Sequence, residues 1–348
     1  EKLTVPENLI LLNRMRRTPW PFPSATWDVI KGSRQVARPN VPNSEAHIVN
    51  RLGWTQESAS FIYLREKKVF SPTALHWLRT PGTLAGRNAE AQVAREVADL
   101  NRRFDNFAEL LLWRALSGLI SLRYSDVVAT VDYKLPASHR VAPAVAWKDA
   151  TIVQIINDIR AWKRIIQQDG QVPAREAFAT ECTINAIFDS TTNAAVNAGG
   201  AVTLAGGIML SDRMKDEYYR TGMLQGFMGL TWNMIQTMYD DDAGNAQNFV
   251  PDDTMFLGNY TDQNPMELQE GPSADDEAPS GFTGKFSKTW KDKDPSARQY
   301  LLEWSLLPIV TRPEQMLVVT NIDGCGPYVG GTPNPIDDDF PGMPGEQP

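Results

Sequence analysis

Few residues of this chain are of a type and spacing that could do chemistry, and each has a bland reading beside the chemical one. Asp240-Asp241-Asp242 could hold a divalent cation for a metal-dependent hydrolase. A calcium loop of the EF type, however, needs glycine where Asn245 stands and a closing glutamate that does not follow. A solvated acidic loop is the competing reading. Gly281-Phe282-Thr283-Gly284-Lys285 has the residue types of a phosphate loop at the wrong spacing, which fits a flexible loop better. Gly199, Gly200, Gly206 and Gly207 make no dinucleotide fingerprint. G-x-S-x-G and H-E-x-x-H are absent. The histidines, His47, His76 and His139, stand at no metal-ligand spacing to one another. Arg14, Arg16 and Arg17 could meet phosphate, although nucleic-acid affinity needs several such contacts and a salt-bridged surface serves as well. Cys182 and Cys325 have no metal-binding spacing. Cys182, in an apolar strand-like run, reads as a buried small hydrophobe. Cys325 reads as exposed between two glycines. A reducing compartment fits, and a disulfide stays open. No catalytic set, cofactor or metal is expected.

The elements that would have to position such residues are dominated by one stretch, Arg87 to Gly118. Val93, Val97, Leu100, Phe104, Phe107, Leu111 and Ala115 step by four and three, which keeps one apolar stripe on one helix face. Glu96, Asp99, Arg102, Arg103 and Asp105 are expected on its remaining surface. Gly118 stands where a left-handed cap would stop the helix. About thirty residues at roughly 1.5 Å each make a rod some 45 Å long, longer than a small domain is wide. One compact core is not expected to swallow it.

The 348 residues are 42% hydrophobic and 22% charged, enough chain for two soluble domains. No run approaches the roughly eighteen apolar residues of a membrane span, so no membrane contact is expected. The net charge of -8 is unevenly placed: Lys and Arg are in excess in the first half, Asp and Glu in the second. In a self-assembling protein, opposite-signed halves allow one copy's front to meet another's back.

Before the rod, residues 3–23 read as an arm held extended by Pro19, Pro21 and Pro23. Thr26–Ile30, Ala46–Leu52 and Ser60–Phe70 read as strands of a long β-excursion without a core of its own, so it must lie on something. After the rod, Ile120–Tyr133 reads as one or two strands and Ile152–Gln168 as a helix ended by Gly170. Ala177–Phe188 reads as a β-run and Ser211–Met223 as a short helix. Strands follow at Leu230–Tyr239, Thr254–Leu257, Gln299–Val310 and Met316–Ile322. Asp323–Pro348 is rich in glycine and proline and has no means of forming a core.

The order of several motifs carries a resemblance. Tyr63-Leu64-Arg65-Glu66-Lys67, Pro81-Gly82-Thr83 and a long helix with Leu100, Arg103 and Glu109 ending Ala115-Leu116-Ser117-Gly118 come first. Trp147-Lys148-Asp149 follows, with Ile155, Asp158, Ile159, Gly170 and Pro173. The closing block is Phe249-Val250-Pro251-Asp252-Asp253-Thr254-Met255-Phe256-Leu257-Gly258-Asn259, then Trp290, Asp294-Pro295-Ser296-Ala297-Arg298, Leu307-Pro308 and Pro313-Glu314. Over residues 25–322 the chain resembles the phage major capsid protein E family, the lambda-type branch of tailed-phage shell proteins.

The resemblance implies an α+β chain with the tailed-phage major capsid fold of the Hong Kong ninety-seven type. It implies an N-terminal arm (1–35), an extended β-loop (36–82) and a peripheral domain with a long spine helix (83–145). An axial domain (146–255), a return to the peripheral domain (256–322) and a C-terminal arm (323–348) complete it. Function would be self-assembly into the hexamers and pentamers of an icosahedral bacteriophage head around packaged double-stranded DNA. The DNA would be contacted non-specifically. Scaffold, portal and a decoration protein are the further partners implied, with assembly in the bacterial host cytoplasm and residence in the virion. The residues expected at subunit interfaces are Trp54, Phe61, Tyr63, Arg65, Lys67, Lys68, Tyr328 and Phe340. The alternative of another class is the hydrolase built on Asp240–Asp242.

Overall fold

The computed structural model describes residues 9–30, 54–70, 89–124, 127–197, 212–235, 237–240, 245–261, 264–293 and 296–322. His47, His76, Cys325, Asp241, Asp242, Tyr328 and Phe340 lie outside them, as do the expected strand Ala46–Leu52 and the tail.

In chain order the elements begin with α1 (Ile10–Arg14), β1 (Arg17–Pro19), β2 (Ser24–Ile30), β3 (Trp54–Ser60), β4 (Ile62–Phe70) and α2 (Ala89–Leu116). There follow β5 (Leu119–Tyr124), β6 (Val127–Asp132), β7 (Arg140–Val141), α3 (Ile152–Gly170), β8 (Glu176–Thr180), α4 (Glu181–Asn197) and α5 (Asp212–Thr221). The rest are β9 (Met223–Gln225), β10 (Thr231–Ile235), β11 (Met238–Asp240), β12 (Ala246–Asn248) and β13 (Met255–Gly258). Last come β14 (Met266–Glu270), β15 (Phe286–Lys293), β16 (Ser296–Val310) and β17 (Met316–Val319). The chain divides into two compact units. One is Glu1–Thr26, Ser58–Ala115 and Met266–Ile309; the other is Trp27–Glu57, Leu116–Pro265 and Val310–Pro348.

In the first unit, α2 is the expected long helix. Its exposed surface ends sooner than the stripe implies: from Leu100 onward burial spreads around the helix, taking in Leu110, Leu111, Leu112 and Trp113. Asp105, expected on the surface, is buried and paired to Lys285 at 2.7 Å. A five-stranded sheet accompanies the helix, in the order β1-β14-β16-β15 with β4 also on β16. The strand β4 therefore does not lack support. It pairs antiparallel with β16 over nine residues, from Ile62↔Leu306 to Phe70↔Arg298. One face of β4 turns to the helix, where Lys68 Nζ donates to Glu96 Oε2 (2.6 Å) and Asp99 Oδ2 (2.9 Å), and Arg103 donates to Glu66 (3.1 Å).

The second unit is built around a six-stranded sheet, β7-β17-β13-β8-β10-β9. Its helix α3 starts on a capping box: Thr151 accepts from the Gln154 amide while Gln154 Oε1 accepts from the Thr151 amide at 2.8 Å. Ile152, Ile155, Ile156, Ile159, Trp162 and Ile166 are buried, as their helical spacing requires. Trp147 stacks on Trp162 with ring centroids 5.7 Å apart. At the far end Gln171 takes the left-handed conformation, while Gly170 allows close approach: a Cβ there would sit 2.6 Å from the Glu314 carbonyl oxygen. Gly118, at φ +86, turns the chain past the end of α2 as expected.

The run Ala177–Phe188 is not one strand. It is β8 to Thr180 and then α4, because Ile184, Ile187 and Phe188 recur at helical spacing and Glu181 favours a helix start. Cys182 consequently lies in a helix, half-buried and disulfide-bonded, and not as a free thiol in a strand.

Candidate functional site

The residues whose types could do chemistry make structural contacts instead. His139 is fully buried, with Nδ1 2.6 Å from the Met316 carbonyl oxygen and Nε2 3.2 Å from Asp169 Oδ2. Lys285 is no phosphate ligand; it is bonded to Asp105 and sits 4.8 Å over the Trp304 ring. Burial lowers the Lys285 pKa, and Asp105 restores part of it. Asp240 is exposed on β11. Among the described residues the one carboxylate group close enough to share an ion is Asp275, Asp276 and Glu277. Its buried member is already engaged: Lys288 Nζ lies 2.7 Å from Asp275 Oδ2, and Arg65 Nη2 lies 3.3 Å from the same oxygen. The Lys288 ammonium holds Asp275 below the ordinary carboxylate range. This is an ion-paired loop.

The surfaces are more informative. The outward face of β4 presents Tyr63, Arg65, Lys67 and Val69, with Tyr63 47% and Val69 56% exposed. Register sets Arg65 opposite Glu303 and Lys67 opposite Leu301, which stands in turn opposite Lys288 on β15. The face is thus fixed by backbone pairing before any side chain chooses a rotamer. Arg65 is pinned between Asp275 and Glu303, with its own side chain 57% exposed. Each pair joins a half-exposed guanidinium to a buried carboxylate, which fixes the orientation of the Arg65 side chain.

On β3, Trp54 is 62% exposed, an unusual setting for the largest side chain. Strands β2 and β3 form a two-stranded sheet of their own. Behind β3, Lys134 Nζ bonds Glu57 Oε1 at 2.5 Å, and Trp27 meets Tyr133 at 5.9 Å between ring centroids.

Of the residues expected at interfaces, two make contacts within their own unit. Phe61 is buried within its own unit, its ring against Gly271, where an added Cβ would come within 2.7 Å. Lys68 is committed to the helix carboxylates. Trp54, Tyr63, Arg65 and Lys67 are presented to solvent. Sequence reasoning could not separate them from Phe61, since the break that turns Phe61 inward depends on β16 and Gly271, both distant in the chain.

Sequence reasoning also missed Glu109. It is fully buried on α2, yet its oxygens accept the amides of Leu11 (3.1 Å) and Leu12 (2.7 Å). These are the open first-turn donors of α1, whose N-cap residue, Leu9, has no side chain able to accept them.

Among the described residues no helix is long and apolar enough to cross a membrane. No curated protein sequence matches the chain. Solved structures do. A protein assigned as the capsid protein of a prophage in Escherichia coli CFT073 is similar at TM-score 0.57 and 16% identity, over 77% of this chain and 79% of that one. A phage-related protein of Bordetella bronchiseptica RB50 gives 0.53 and 10%, over 92% and 94%. The capsid of Ralstonia phage GP4 gives 0.50 and 12%, over 91% and 88%. Identities this low establish the tailed-phage capsid fold alone. The sequence supplies the rest, because the family model for phage major capsid protein E matches residues 4–321. On that match the chain belongs to the phage major capsid protein E family and is a major capsid protein that forms a phage head.

Proposed function

We propose that this subunit assembles as hexamers and pentamers that close into an icosahedral shell around packaged double-stranded DNA. The first unit, with the spine helix and the five-stranded sheet, serves as the peripheral domain. The second serves as the axial domain. Assembly takes place in the host cytoplasm with scaffold and portal, and the DNA is met through non-specific contacts. The reading rests on the match to a capsid family along nearly the whole chain. Strands β2 and β3, with exposed Trp54, carry part of the contact with a neighbouring copy. The outward face of β4 with Tyr63 and Lys67 receives part of such a neighbour. Interfaces perform the work, and a hydrolase built on Asp240–Asp242 has no support from the family.

Cryo-microscopy of particles formed by the purified protein tests this reading. Sixfold and fivefold clusters in one closed shell are the expected result. Particles built from a single kind of ring, or open sheets only, would contradict it.

A further inference from the structure

We propose that Phe22 of one copy seats in a cavity of the second unit of a neighbouring copy, so that each subunit carries both halves of a knob-and-hole contact. The knob is built in advance. Pro21 and Pro23 fix the backbone on either side of Phe22, whose side chain is exposed (58%). Trp20 braces the ring edge-on, with centroids 5.5 Å apart, and is itself held by its Nε1 donating to the Ser24 carbonyl oxygen at 2.9 Å. A ring presented in this way loses little freedom on being covered. Among the other exposed rings, Trp54 belongs to the strand that walls the cavity, and Tyr63 lies within the sheet face of β4.

The hole is a cavity of about 210 Å³ walled by β2, β3, the end of β6 and the turn Pro313–Gln315. It is smaller than the roughly 300–1,000 Å³ of sites for drug-sized ligands, and suits one side chain. Trp27 and Tyr133 line it with their ring centroids 5.9 Å apart, and Pro313 adds apolar surface. Trp27 is buried (5% exposed), yet its indole N–H has no acceptor. Buried donors are ordinarily satisfied, and an incoming Pro21-Phe22-Pro23 segment brings carbonyl oxygens for this one.

Charge selects the occupant. Glu57, Asp132 and Glu314 line the cavity, and its basic member, Lys134, is bonded to Glu57 at 2.5 Å. The stretch from Ile10 to Pro23 carries three arginines and no carboxylate. Arg16 and Arg17 are exposed just before the knob, with Glu270 answering Arg17. A basic approach meeting an acidic rim steers one copy onto the next. A knob and a hole at different places on one molecule also make a contact that repeats from copy to copy. The inference rests on the proposed assembly of copies, though not on its symmetry.

Photo-crosslinking of the assembled full chain tests it. Phe22→p-azidophenylalanine is assembled from equal parts of isotope-labelled and unlabelled chains, irradiated and mapped by peptide mass spectrometry. Mixed-isotope links from residue 22 to residues 27–29, 55–57, 132–136 or 313–314 are the expected result. Links confined to one isotope form, or made only to other surfaces, overturn the proposal. Normal particles with no link to the cavity overturn it alone, whereas a wild-type chain that stays monomeric overturns the assembly reading with it. Should the azide variant not assemble, Phe22→Ala decides. Its particle yield should fall about tenfold or more, with the urea midpoint of the unassembled subunit unchanged, because the ring is exposed there. An undiminished yield from Phe22→Ala overturns the proposal.

Discussion

Replacing residues 31–53 by a short glycine turn from Ile30 to Trp54 should leave a folded subunit that no longer closes into shells. Among the described residues the strands it joins, β2 and β3, pair with each other in a two-stranded sheet. On β3 no residue is fully buried, and Trp54 presents more than half its surface to solvent. On the proposed reading another copy covers this ring, as a buried aromatic anchor at an interface. Within the expected loop 36–82, β4 is paired with β16 of its own unit, so the test is aimed at the residues before β3. Particle yield should drop at least tenfold, as counted by microscopy. Circular dichroism and the urea midpoint should stay close to those of the unassembled parent. Normal particles from the deletion would show that the loop carries no part of the assembly.

The second large effect is expected inside a unit. Trp147→Ala should cost the unassembled subunit about 3–5 kcal/mol, the range for removing a large buried aromatic. Its side chain is fully buried, stacks on Trp162 and donates from Nε1 to Asp158 Oδ2 at 3.3 Å. Its backbone amide also donates to the Ile322 carbonyl oxygen at 2.8 Å, which ties the start of α3 to the end of the sheet. Trp147→Phe keeps an aromatic on Trp162 and should lose less than half as much. Urea unfolding measures both. A cost below about 1 kcal/mol for the alanine variant would mean that this corner of the core collapses onto the gap.

What the sequence disclosed depended on how local the cause was. The two long helices are legible because their stripes repeat for many turns, and Thr151 with Gln154 marks the start of α3 within four residues. Helix α1 is five residues long and takes its cap from Glu109, so no neighbour in sequence announces it. Similarly, Asp105 looks like a surface acid until Lys285 arrives from 180 residues away. The break inside Ala177–Phe188 is a different failure. A short apolar run satisfies strand and helix patterns alike, and the sheet partners of β8 decide where the strand stops. The candidate surfaces were half legible. Alternation along β4 fixes which residues share a face, but only the pairing with β16 and the helix says which face is covered.

The mass of the freely assembled protein tests the capsid reading most directly. A subunit of 38.8 kDa that forms heads should elute, in multi-angle light scattering, as particles in the range of millions of daltons with a narrow size distribution. A discrete monomer or small oligomer that stays so at high protein concentration, with no particles by negative stain, would contradict it.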